Sequence, residues 1–124
     1  MEPRSGGPVA AAIEALGDRW TLSILSDIVF GDHRHFRALL NASAEGIATN
    51  ILADRLVKLV ESGLITRGTT MRGQRARYSL TEAGIQTLPI LQALGAWGAQ
   101  WRPGSGAPEP LTMDELRARH LPPG

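Results

Sequence analysis

The sequence predicts a mainly α (α+β) domain in which short amphipathic helices surround one two-stranded hairpin. Three observations carry that expectation. Apolar residues recur at intervals of three and four over most of the chain. The period changes only in the basic stretch "LITRGTTMRGQRARYSL", which has a glycine near its middle. A chain of 124 residues, 43% of them hydrophobic, suffices for one cored domain and is too short for two ordinary ones.

Residues 1–7 read as a tail. "PVAAAIEAL" places Val9, Ile13 and Leu16 at helical spacing, with Pro8 suited to a first turn and Gly17 to a stop. In "DRWTLSILSDIVFG" the residues Trp20, Ile24, Leu25 and Ile28 mark one helix face. Trp20, at the start of that stripe, is expected in the core. A third short helix follows in "RHFRALLNA", and "SAEG" supplies a turn. The stretch "EGIATNILADRLVKLVESGLI" then reads as a helix with Ile47, Ile51, Leu52, Leu56, Leu59 and Val60 facing inward and Gly63 as its stop. "LITRGT" and "RARYSL" predict the two strands, with Arg72, Gln74 and Arg75 in the turn region. From Thr81, an N-cap candidate, a long helix is predicted with a stripe of Ile85, Leu88, Leu91, Leu94, Trp97 and Trp101, kinked near Pro89. Residues 8–101 form the predicted domain, 102–111 a Pro/Gly linker and 112–124 a short terminal helix and tail. Thr112 and Glu115 stand at capping-box spacing.

Composition excludes several function classes. With no cysteine there is no disulfide framework, zinc–thiolate site or cysteine nucleophile. No apolar run approaches the ~20 residues of a membrane span, and no secretory leader is evident, so a cytoplasmic protein without a membrane partner is expected. There is no nucleophile elbow, phosphate-cradling glycine motif or ligand-spaced carboxylate cluster, so an enzyme is not expected, and no cofactor is implied. His33 and His35 beside Asp32 resemble a fragment of a metal site. Two histidines two apart share a face only in an extended segment, however, and surface or phosphate-side roles fit them better.

The net charge of +1 conceals an uneven distribution. Between Phe30 and Leu80, Arg34, Arg37, Arg55, Lys58, Arg67, Arg72, Arg75 and Arg77 outnumber Asp32, Glu45, Asp54 and Glu61. A basic middle with mildly acidic flanks fits a polyanion partner. Three helices, a helix with a polar front, a hairpin and a further helix is the order of a winged helix-turn-helix domain. A helix fits the DNA major groove, where Asn can pair with adenine and Thr or Ala can meet a thymine methyl. Thr49, Asn50 and Ala53 occupy the front of the fourth helix and become the candidate base-reading residues. Arg34, Lys58, Arg72, Gln74 and Arg75 are candidates for the DNA backbone or minor groove. Asp54 would be repelled by phosphates and is expected to pair with Lys58 one turn on.

"PVAAAIEALGDRWTLSIL", "HFRALL", "EGIATNILADRLVKLVESGLI", "RYSLTEAG" and "LPILQALGAWG", in that order and at those separations, resemble the HxlR family of bacterial winged helix-turn-helix transcriptional regulators. The similarity runs from about Pro8 to Trp101. It implies a homodimer bound to a palindromic or pseudo-palindromic double-stranded DNA operator, with the helix of Thr49 in the major groove and the wing on the flanking backbone. It also implies a dimer interface built from the first helix and the long C-terminal one, here Val9, Ile13, Leu88, Leu91, Leu94, Trp97 and Trp101. Two departures stand out. Many members carry a cysteine just before the first helix, where this chain has Gly7, so a thiol switch is excluded and a small-molecule effector, a partner or abundance would carry any signal. Ala48 stands where a capping serine is frequent, which leaves Thr49 as the alternative cap. An effector would sit between the long helix and the first two, with Trp97 or Trp101 in its wall. Two rival readings remain at this level: a winged-helix module that binds a protein partner, and a metal-responsive regulator using His33 and His35.

Overall fold

The structure is a computed structural model and describes residues 6–68, 75–102, 104, 106 and 110–122. Its elements are α1 (Gly7–Leu16), α2 (Arg19–Val29), α3 (Phe36–Ala42), α4 (Thr49–Glu61), β1 (Ile65–Arg67), β2 (Tyr78–Leu80), α5 (Glu82–Ile85), α6 (Leu88–Trp101) and α7 (Met113–His120). The fold is a winged helix-turn-helix. The strands pair antiparallel, with Ile65 opposite Leu80 and Arg67 opposite Tyr78; the tip of the hairpin lies outside the described residues.

Helices α2, α3 and α4 pack on one another, and α4 continues directly onto β1. Their apolar faces meet in a core built on Leu25, Ile28, Leu39, Leu52, Leu56 and Leu59, joined by Ile65 and Leu80 from the strands and Ile85 from α5. Gly63 makes the sharp passage from α4 to β1. At φ +81 it lets the Leu64 amide donate to Leu59 O and the Gly63 amide to Val60 O, satisfying the last carbonyls of the helix. Gly84 is fixed by close approach instead, since a Cβ there would stand 2.1 Å from Leu64 O. The stretch read as one long helix from Thr81 is divided into α5 and α6. Pro89 has no amide to donate and sits in the first turn of α6, where none is needed. The break after Gln86 therefore replaces the expected kink.

The capping box at Thr112 is formed in both directions, with the Glu115 amide donating to Thr112 Oγ1 and the Thr112 amide to Glu115 Oε1. Helix α7 packs against α5 and β2 with Leu116 fully buried. Arg117 reaches Glu82 with two donors at 3.0 and 2.8 Å. His120 Nδ1 accepts the Leu80 amide at 3.0 Å, which places the ring proton on Nε2. That Nε2 is buried without a hydrogen-bond partner, and its nearest acid, Asp32, is 3.9 Å away.

Arg34 is the largest departure from the sequence-based expectation. It was a candidate for the DNA backbone, yet it is only 5% exposed. Its guanidinium donates to Tyr78 O at 3.0 Å, Ser79 Oγ at 2.6 Å and Arg119 O at 3.0 Å, while its own carbonyl accepts the Tyr78 amide. Burial and the neighbouring Arg77 lower its pKa, with Asp32 opposing. Five fixed donors match carbonyls from two segments better than any single phosphate at the surface would. Arg34 is a tie between β2 and α7.

Two outcomes follow. Arg34→Met keeps the length of the side chain but strands its acceptors, and urea unfolding is expected to show a loss of about 3 kcal/mol. A surface arginine in the same exchange would shift stability by less than about 0.5 kcal/mol. The second outcome concerns pH. Burial, then Arg34, pushes His120 down to about 4 against Asp32, with Arg119 and Arg77 adding to the depression. The unfolded chain takes up this proton near 6.5. The contribution is therefore complete above that pH and lost as pH falls through the interval towards about 4. His120→Asn, which retains an acceptor for the Leu80 amide, should flatten the stability profile measured by urea unfolding from pH 6.5 to about 5.

Candidate nucleic-acid interface

Helix α4 owes its orientation to contacts on its back and side. Leu52, Leu56 and Leu59 are its buried residues. On its side, Arg55 donates to Asp18 at 3.2 Å and to Asp54 at 2.7 Å. Asp18 is the N-cap of α2, accepting from the Trp20 and Thr21 amides and the Thr21 hydroxyl. Burial raises the Asp18 pKa, but the Thr21 and Arg55 hydrogen bonds outweigh it and hold the carboxyl below its ordinary value. One carboxylate thus starts α2 and anchors α4. Its capping role is legible in "GDRW"; its link to Arg55, 37 positions on, has no local signal.

The front of α4 is left open. Thr49, Asn50 and Ala53 are exposed in its first two turns. The helix begins from Ala48 in extended conformation with no side-chain cap, so Thr49 is the first helical residue and does not replace the missing serine. Asp54 pairs with Lys58 at 3.3 Å, as the sequence led us to expect, and also with Arg55. Lys58, foremost, and Arg55 hold its carboxyl low. Its charge is thereby offset locally on the side of α4 that also exposes Asn50, Ala53 and Val57. Two residues of the expected inward face differ: Ile47 is buried but precedes the helix, and Val60 is partly exposed.

Several cations of the basic middle are exposed. Lys58 is exposed on α4, Arg37 on α3, Arg67 on β1, and Arg75 and Arg77 on the segment that leads into β2. Arg72 and Gln74 lie outside the described residues. Arg37, Arg67 and Arg77, part of the basic middle of the sequence, are all exposed, and Arg67 shares a surface groove with Ala53 of α4. Among the described residues no group of three or more His, Asp or Glu could hold a metal ion. His33 and His35 stand in the α2–α3 connection, His35 as the N-cap residue of α3. No helix among the described residues is long and apolar enough to cross a membrane.

Helix α6 carries two apolar stripes rather than one. Leu88 and Leu91 are buried within the protomer, which removes them from the expected dimer surface. Ile90, Leu94, Trp97 and Trp101 form the second stripe, at offsets of four, three and four, and are 42%, 51%, 54% and 59% exposed. Val9 and Ile13 on α1 are more exposed still, at 71% and 62%. Ile90 carries no separate signal in the sequence, because it stands between Leu88 and Leu91 in a helix apolar nearly all round.

Comparison with known proteins gives a consistent result. The family described as HxlR-like helix-turn-helix matches residues 15–105. A relative from Mycobacterium tuberculosis, named an uncharacterised HTH-type transcriptional regulator, is 36% identical over 104 residues, covering 83% of this chain and 64% of its own. The chain therefore spans somewhat under two thirds of that relative's length. The crystal structure of PA1607, described as a candidate transcription factor, superposes with a TM-score of 0.73 at 30% identity over 86% of this chain and 82% of that one. The redox regulator HypR in its reduced form shares the fold, with a TM-score of 0.70 at 23% identity over 78% and 95% of the two chains. The family match over most of the chain, the curated relative and the fold agree: this protein belongs to the HxlR-like helix-turn-helix family of transcriptional regulators.

Proposed function

We propose that the protein is a sequence-specific DNA-binding regulator that acts as a homodimer on a palindromic or pseudo-palindromic operator. The observation that carries this reading is the open front of α4: Thr49, Asn50 and Ala53 exposed in its first two turns, on a helix whose back is buried through Leu52, Leu56 and Leu59. Asn50 presents an amide suited to the edge of adenine, and Thr49 and Ala53 present methyl groups suited to thymine. Lys58 and Arg75, together with Arg72 and Gln74 from the turn region of the sequence, are the candidates for the flanking phosphates or the minor groove. The uncapped start of α4 adds amide donors and the positive end of a helix dipole, both favourable beside a phosphate.

The second copy is called for by the apolar face of α1 and α6. Ile13, Leu94, Trp97 and Trp101 would leave a large apolar surface in water on a monomer. An isologous contact covers the same patch on both copies and presents two α4 helices to half-sites about one DNA turn apart. None of these 124 residues is a cysteine, so none of them can serve as a thiol switch.

Fluorescence anisotropy with duplexes bearing the upstream region of its own gene or a scrambled sequence, across a salt series, tests the DNA reading. Arg72→Ala is expected to weaken binding to every duplex alike and to shallow the salt slope by about one unit. Asn50→Ala should instead relax preference at one base position, at a cost of about 1 to 3 kcal/mol. Uniform loss in both variants would remove Asn50 from base reading. For the dimer, Trp97→Asp should sediment as a monomer with an unchanged circular dichroism spectrum; a surviving dimer would move the interface elsewhere.

A further inference from the structure

A cavity of about 510 Å³ opens between α2, the α3–α4 turn and α6, away from the front of α4. Its apolar wall is made by Trp20, Phe30, Leu91 and Leu94. Trp20 is only partly buried because it stands at this opening, and neither Trp97 nor Trp101 reaches it, contrary to the expectation that one of them would line an effector site. The polar part of the wall holds serine hydroxyls, Asp27 and Glu45 and, among the described residues, no Lys or Arg.

The two acids differ in what already neutralises them. Glu45 is exposed at the rim and paired with Arg19. Asp27, in the middle of α2, is half-buried, and its carboxylate accepts no hydrogen bond among the described residues. Burial raises its pKa, and His33, from the α2–α3 connection, counters this. A partly desolvated carboxylate in an apolar-walled cavity of ordinary ligand size attracts a cation and repels an anion.

We infer that this cavity binds a small lipophilic organic cation, its apolar body against Trp20, Phe30 and Leu91 and its positive charge beside Asp27. A neutral apolar ligand would desolvate Asp27 further with nothing in return, and an anion would be repelled by the Asp27 carboxylate, Glu45 being already offset by Arg19. The walls also give the occupant contact with the turn that leads into α4 and with α6, so the site touches both the helix-turn-helix and the face assigned to the second copy.

Two ions of nearly the same shape and opposite charge provide the test. Isothermal titration of the intact protein with tetraphenylphosphonium and with tetraphenylborate should show the cation binding at least tenfold more tightly. Asp27→Asn should lower cation affinity at least tenfold and leave the sedimentation coefficient unchanged. Ser23→Trp, at an exposed position of the cavity wall, should block the site with Asp27 intact. Equal affinity for both ions, preference for the borate, absence of phosphonium binding, or full binding by either variant would overturn the assignment. Binding is read without DNA, so its failure and failure of the DNA reading are separate results.

Discussion

A guanidinium held inside a protein loses its hydration and stays there only when fixed acceptors replace the water. Arg34 is held in this way, and the relation of the hairpin to the rest of the molecule depends on it. A two-stranded sheet of three residues per strand is marginal by itself. Here its outer strand is gripped from the side: Tyr78 exchanges backbone and side-chain bonds with Arg34, Ser79 accepts from the same guanidinium, and Leu80 donates to His120. The same arginine reaches the carbonyl of Arg119, so α7 and β2 are secured together. One side chain stands in for the third strand that a larger sheet would have.

A second constraint works on the other side of α4. Asp18 and Arg55 couple the start of α2 to the middle of α4, and Asp54 and Lys58 continue the chain of charges outward. These groups are partly exposed, and pairs of that kind contribute little net stability. Their effect is geometric: the helix already packed by Leu52, Leu56 and Leu59 is prevented from rolling about its own axis. Apolar packing sets the depth of α4 and the ion pairs set its rotation, and together these determine which residues reach outward.

Much of the fold was legible because it rests on local rules. The boundaries of α1, the stop at Gly63, the capping box at Thr112 and the pairing of Asp54 with Lys58 all follow from residues within five positions of one another. The sequence was silent where partners are distant. Arg34 looked like one more cation of a basic stretch, and its acceptors lie 44 to 85 positions away. His120 looked like part of a tail, and its partner is the amide of Leu80. Leu88 and Leu91 could not be separated from Leu94 and Trp97 by periodicity, because α6 is apolar on two faces and only the packing of α2 decides which is covered. The candidate site was legible in its α4 part, where exposure follows from helical phase, and illegible in the cavity beside Asp27, whose walls come from separate segments.

The side chains of Thr49, Asn50 and Ala53 make no hydrogen bond within the described protomer and take no part in its core. Exchanges at such positions ordinarily change folding free energy by less than about 0.5 kcal/mol. Whatever these residues touch, the chain can alter them without endangering its own folding. Selection on the outward surface and selection on the scaffold therefore act on different residues, and a lineage of such proteins can diverge in what it recognises by single steps, each taken from a fully folded ancestor.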